Sequence, residues 1–114
     1  MELSCDMRND VVLIGVHANR IDAGIALQFI TKMAEATKGK TGRILMDLAE
    51  VEFIDSSGLG AVVAALKQVD KGASLELANL SVAVRKLFSL TKMDTVFRVH
   101  PSVEDALQAG SAAA

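Results

Sequence analysis

Phe53-Ile54-Asp55-Ser56-Ser57-Gly58-Leu59-Gly60 is the stretch from which the rest of the chain can be ordered. An apolar pair arrives at an acid, two hydroxyls and two glycines follow, and apolar residues then recur at Leu59, Val62, Val63, Leu66 and Val69. That three- and four-residue spacing marks one face of a helix. A strand end handing over directly to a helix start is the repeating joint of α/β proteins. Ser56 or Asp55 is placed to cap the helix by accepting a bond from an orphan N–H, worth about 1 kcal/mol. The glycines thin the surface around the turn, so another protein can approach the hydroxyls closely. A phosphate on a hydroxyl here is tolerated, because free N–H groups and the helix dipole meet the added charge.

The flanks repeat the same grammar. Val11 to Val16 is a continuous apolar run and reads as a buried strand, with Leu3 to Met7 pairing to it as a hairpin across Arg8-Asn9-Asp10. From Ala23 to about Lys38, Ala26, Phe29, Ile30, Met33 and Ala34 form a helical face, and Asp22 stands at the N-cap position. After the breaker Gly39 to Gly42, Arg43 to Leu48 reads as a second buried strand. Gly72 is placed to stop the helix that follows the turn, and Leu75 to Ala78 alternates as a half-exposed strand does. Ser81 caps a third helix with Val84, Leu87 and Phe88; Val96 to Val99 is a short last strand. Ser102 caps a final helix with Val103, Ala106 and Leu107 that Gly110 ends. The expected fold is therefore α/β, a mixed sheet of four to five strands with about four helices.

Composition narrows the function. One hundred and fourteen residues make one domain, and 51% apolar with 23% charged residues is ordinary for a folded soluble protein. Twelve basic against fourteen acidic residues leave a net charge of −2, so no basic field invites nucleic acid or an anionic membrane. The longest apolar run, Gly58 to Leu66, is too short to insert across a bilayer, and the first residues lack the layout of a secretory signal. Cys5 alone builds no disulfide framework, which fits the cytoplasm. Cys5, His17 and His100 are too few and too scattered to cage zinc by themselves, so no metal site is expected.

Three catalytic motifs are approached and missed. Gly39-Lys40-Thr41 resembles the end of a phosphate-binding P-loop, but Ala34 occupies the earlier glycine position and a strand follows. Gly58-Leu59-Gly60 opens a helix as a dinucleotide fingerprint does, but the third glycine is Val63. Neither Ser56 nor Ser57 has glycine two residues away on both sides, as a nucleophile elbow requires, and nothing local orients His17 or His100 as a base. The chain reads as a binding protein, not an enzyme.

The stretch Asp55-Ser56-Ser57-Gly58-Leu59-Gly60 resembles the phosphorylation loop of the anti-sigma factor antagonists, the STAS-domain proteins of bacterial partner switching. Asn19-Arg20-Ile21-Asp22 sits where that family has a Gly-x-Leu-Asp turn; Ile44 to Leu48 matches the strand before the loop, and Ala83-Val84-Arg85-Lys86-Leu87-Phe88 looks like its third helix. The resemblance implies one STAS-like domain over residues 1–110, with 111–114 as a flexible tail. It implies that Ser56 is phosphorylated and that Asp22, Asp55, Ser57, Gly58, Leu59 and Gly60 support the site and the kinase contact. The implied partners are an anti-sigma factor that is also a serine kinase of the GHKL ATPase type, and a PPM-type serine phosphatase. No cofactor belongs to the chain itself. The alternative is a non-catalytic STAS subunit of a transporter or signalling scaffold, in which the serine merely caps. Asn19 and Lys92 stand where the family has, or often has, glycine. Asn19 can preserve its turn by turning left-handed, and a left-handed Lys92 costs on the order of 1 kcal/mol.

Overall fold

The computed structural model describes residues 1–110; the expected tail, 111–114, lies outside the described residues. Its first feature is the hairpin. Strands β1 (Glu2–Arg8) and β2 (Val11–His17) pair antiparallel with Arg8 opposite Val11, which leaves Asn9 and Asp10 as the whole loop. Both have positive φ, 52° and 64°, the backbone of the tight hairpin turn whose twist matches that of the strands. Asn and Asp are the side chains that accept this conformation most readily.

From β2 onward the sheet is parallel. β4 (Gly42–Asp47) lies beside β2, β6 (Ala73–Ala78) beside β4, and β7 (Arg98–His100) beside β6, giving the order β1-β2-β4-β6-β7. A second, two-stranded parallel ladder joins β3 (Arg20–Ile21) to β5 (Phe53–Ile54). The helices are α1 (Ala26–Thr37), α2 (Ser56–Gln68), α3 (Val82–Leu90) and α4 (Val103–Ala109). The mixed sheet and four helices agree with the reading from sequence; the small ladder was not foreseen.

Alternation along the strands divides the core in two. Val12, Ile14, Val16, Ile44, Met46, Leu75 and Leu77 face the main core, which takes Phe29 and Met33 from α1, Ala61, Val62 and Ala65 from α2, and Val84 and Phe88 from α3. Each large side chain buried there contributes about 1.5–3 kcal/mol. Val11, Leu45 and Ala78 face the opposite way, against Val103 and Ala106 of α4.

Several boundaries differ from expectation for physical reasons. Helix α1 begins at Ala26, and its N-cap, Ile25, makes no side-chain bond. Asp22 is not the cap: its carboxylate accepts from the Gly24 N–H at 3.0 Å and its carbonyl from Ile25 N–H at 3.1 Å, so it closes a turn before the helix. Helix α2 stops at Gln68, ahead of Gly72, because Val69 is already extended. The last strand starts only at Arg98, after a 3₁₀ turn over Met93–Thr95 that Lys92 opens at φ 63°. Lys92 thus carries the strain foreseen for it, whereas Asn19 is not left-handed, so that position makes no demand for glycine.

The main surprise is β6. Leu75 to Ala78 are all buried, and Glu76 is enclosed with only 2% of its surface exposed. A charge survives there because it is fully partnered. Arg43 Nε donates to Glu76 Oε2 at 2.9 Å and Arg43 Nη2 to Oε1 at 2.7 Å, and His100 Nε2 lies 2.7 Å from Oε1. Arg43 Nη2 also donates to the Ala106 carbonyl at 2.7 Å, which fastens α4 to the sheet. Burial pushes the Glu76 carboxyl up, but the bonds from Arg43 and His100 outweigh it and hold the group below the ordinary glutamate range.

Two outcomes follow for stability. Glu76→Ala leaves Arg43 confined without its partner and should cost about 3–5 kcal/mol in urea unfolding. Because the folded Glu76 holds its proton less readily than the unfolded one, its contribution is present above the unfolded value, about 4.3, and disappears as pH falls through the lower folded value. Unfolding measured between about pH 5 and 2 should therefore show a steeper loss in wild type than in Glu76→Gln.

Candidate functional site

The parallel ladder aligns Arg20 with Phe53 and Ile21 with Ile54, so the residues that follow, Asp22 and Asp55, leave adjacent strands side by side. Asp55 N–H donates to the Ile21 carbonyl at 3.3 Å, and Glu52 N–H to the Asn19 carbonyl at 2.8 Å. The carboxylate of Asp55 then binds both segments. Oδ1 accepts from Gly58 N–H at 2.7 Å and Oδ2 from Ala23 N–H at 3.3 Å. Asp55 is therefore the N-cap of α2, with extended backbone, and the choice left open between Asp55 and Ser56 is decided for the acid. Ser56 is the first helical residue. Both it and Ser57 are exposed.

The two glycines do different work. Nothing lies within 4 Å of a Cβ built on Gly60, an exposed position where the surface is indeed thinned. Gly58 is buried, contrary to expectation, and a Cβ there would stand 1.9 Å from the Ile21 carbonyl oxygen and 3.0 Å from Ile54 Cγ2. It permits contact between the first turn of α2 and β3. Leu59 is half-buried and packs against the main core.

Two neighbours not singled out from sequence complete the surface. Arg20 lies 3.8 Å from the Asp22 carboxylate and its guanidinium sits 5.7 Å above the Phe53 ring. Phe53 is 48% exposed, a large apolar ring left in solvent beside the turn. Their pairing rests on the register of a two-residue ladder, for which no periodic signal exists.

The histidines lie elsewhere in the fold. Glu50 Oε2 holds His17 Nδ1 at 2.6 Å, and His17 Nε2 lies 2.9 Å from Ser4 Oγ, so His17 is oriented not locally but by a residue 33 positions away. Its hydroxyl neighbour is Ser4, not Ser56 or Ser57. His100 belongs to the buried Glu76 cluster. Among the described residues no group of three or more His, Cys, Asp or Glu side chains is arranged to hold a metal ion, and no helix is long and apolar enough to cross a membrane.

Such a site can present a hydroxyl to a partner and accept an anion. The N–H groups of Ser56 and Ser57 lie in the first turn, where no intrahelical carbonyl reaches them, and the positive end of the helix dipole faces the same surface.

A family model described as STAS domain matches residues 6–106. The anti-sigma-B factor antagonist of Bacillus subtilis (strain 168) is 37% identical over 62 residues, 54% of this chain; the chain spans 57% of that protein's length. A solved anti-sigma-factor antagonist (STAS) domain protein from Planctomyces limnophilus superposes with a TM-score of 0.83 at 21% identity, covering 94% of this chain and 96% of the other. The anti-sigma factor antagonist SpoIIAA in its unphosphorylated form superposes at 0.70, with 23% identity and 95% of each chain covered; its phosphorylated Bacillus form superposes at 0.63, with 22% identity, covering 95% of this chain and 98% of that one.

The glycine geometry sets opposite outcomes for the same substitution. Gly58→Ala should lose about 3 kcal/mol or more in urea unfolding, since a helix start must move away from a backbone carbonyl. Gly60→Ala should gain about 0.5–1 kcal/mol, the usual gain for alanine over glycine in an unobstructed helix. Asp55→Ala should cost at least about 1 kcal/mol through the lost cap.

Proposed function

The chain belongs to the STAS domain family, and from that premise we propose that it is an anti-sigma factor antagonist whose binding is controlled by phosphorylation of Ser56. In this reading residues 1–110 form the STAS unit, a cytoplasmic binding protein without turnover of its own. With Ser56 bare, it docks on an anti-sigma factor that is also a GHKL-type serine kinase and frees the target that factor holds. Phosphorylation of Ser56 breaks the complex, and a PPM-type phosphatase restores it. ATP and metal ions are used by those partners.

The observation that carries the reading is the position of Ser56: exposed, first in α2, and next to the acid that caps it. The similarity to SpoIIAA, solved in unphosphorylated and phosphorylated forms, supports the same reading.

Charge alone is sufficient for the switch. Phosphorylation adds about −1.5 to −2 charges beside Asp55 and near Asp22. Two unit charges about 5 Å apart at an effective dielectric of 20 interact by roughly 3 kcal/mol, and a change of that order against the partner's interface shifts affinity by about a hundredfold. Arg20 and Phe53, flanking the turn, offer a cation and an apolar ring to the docked kinase, while Ser57, Gly58, Leu59 and Gly60 keep the hydroxyl presented.

Incubation with an anti-sigma factor kinase and ATP, followed by mass spectrometry, should place the phosphate on Ser56. Ser56→Ala should accept none and remain bound, and Ser56→Asp should bind about a hundredfold more weakly by calorimetry. Phosphate on Ser57 alone overturns the site. Stable association with an ATPase assembly that ignores Ser56→Asp points instead to a docking subunit of a transporter or scaffold.

A further inference from the structure

Strand β1 is an edge: among the described residues only β2 pairs with it, and six of its seven residues are exposed. In a hairpin closed by a two-residue loop, the residues flanking the loop exchange both backbone bonds, and such pairs alternate along the ladder. Arg8, Asp6, Ser4 and Glu2 therefore turn their N–H and C=O groups toward β2. Leu3, Cys5 and Met7 turn theirs outward. The present cover is slight: Asp6 Oδ1 accepts from Met7 N–H at 2.8 Å. On the face that carries Leu3 and Cys5, Met7 is 58% exposed, a large apolar side chain at an open edge.

The sequence of this edge, Glu2-Leu3-Ser4-Cys5-Asp6-Met7-Arg8, is complementary to itself when reversed. We propose that β1 pairs antiparallel with β1 of a second copy of this chain, centred on Cys5. Cys5 then faces Cys5 of the other copy, Leu3 faces Met7, Ser4 faces Asp6 and Glu2 faces Arg8, each combination occurring on both sides of the two-fold axis. The outward groups of Leu3, Cys5 and Met7 meet their counterparts as hydrogen-bonded pairs. Leu3 and Met7 meet on one face, and the charged ends are opposite in sign, Glu2 against Arg8. Neighbouring registers that keep this hydrogen-bonding phase do worse. A slip one way sets Glu2 against Asp6, and a slip the other way sets Asp6 against Asp6, like charges directly opposite, which destabilise a ladder. Charge thus selects the second copy and a single register, joining two sheets through their edges. The pairing stands apart from the Ser56 reading, because β1 contributes nothing to that turn.

An edge of seven residues buries less than a standard interface, so the dimer belongs to the weak class, with Kd on the order of 10–100 μM. Sedimentation equilibrium on the full chain, kept reduced and loaded from about 5 to 500 μM, a span around that range, should show a monomer–dimer equilibrium. Arg8→Glu places like charges at both ends and should weaken the dimer by about tenfold or more. Adding Glu2→Arg to Arg8→Glu exchanges the signs and should restore dimerisation; circular dichroism checks that the fold survives loss of the 3.6 Å contact between Glu2 and Lys32. The paired Cys5 residues lie about 5.5 Å apart at Cα, within disulfide reach. Diamide, which takes up two electrons and two protons from the thiols, should therefore cross-link wild type and the double variant faster than Arg8→Glu. A monomer throughout the range, a dimer indifferent to Arg8→Glu, or a double variant that stays monomeric overturns the proposal.

Discussion

The peptide carbonyl of Ile21 is the point on which the functional end of the molecule rests. It accepts the Asp55 N–H at 3.3 Å and also forms the floor under Gly58, where a Cβ would stand only 1.9 Å away. A helix usually stands off a strand by the thickness of its side chains. Here that spacing vanishes for one residue, and the first turn of α2 sits directly on β3. The Asp55 carboxylate completes the junction, with one oxygen on α2 and the other on the segment after β3. The exposure of Ser56 and Ser57 follows, because the buried side of that turn is already filled by Gly58.

How much of this could be read from the chain depended on the range of the interactions. The hairpin, the three central strands and the stripes of α1, α2 and α3 announce themselves through periodicity. Ser81 and Ser102 announce helix starts through local capping chemistry, and both caps form, accepting from Val84 and Asp105 N–H at 3.2 and 3.1 Å. The site stretch was legible for the same reason, since an acid three residues before a glycine is a local pattern. The β3–β5 ladder was not, because two residues have no period. Glu76 was misplaced because its position in the pattern fits a half-exposed strand, while its burial depends on Arg43, 33 residues earlier, and on His100, 24 residues later. His17 ends β2, as a strand-end histidine does, and its partner Glu50 was out of reach of any local pattern for the same reason. Asp22 satisfied the composition of a cap but lay too far from the helix to serve as one.

Charge is used in two distinct ways. Arg43, Glu76 and His100 form a cluster removed from water, where every partner is needed and removal of one leaves another stranded. It secures α4, the helix over the second face of the sheet. Arg20 and Asp22 lie in the opposite regime: the side chain of Arg20 is 59% exposed and their 3.8 Å contact contributes little to stability. Groups that the fold does not require are available to bind something else, and this pair sits at the turn that presents Ser56.

The assignment of the helix cap to Asp55 has a further meaning. Had a hydroxyl closed α2, esterifying it would have rebuilt the cap around a phosphate, and each modification would have altered the start of the helix that carries it. With the acid in that duty, the neighbouring oxygen is architecturally idle. On the proposed reading, a phosphate added there and removed again leaves the Asp55 cap, and with it the secondary structure, in place.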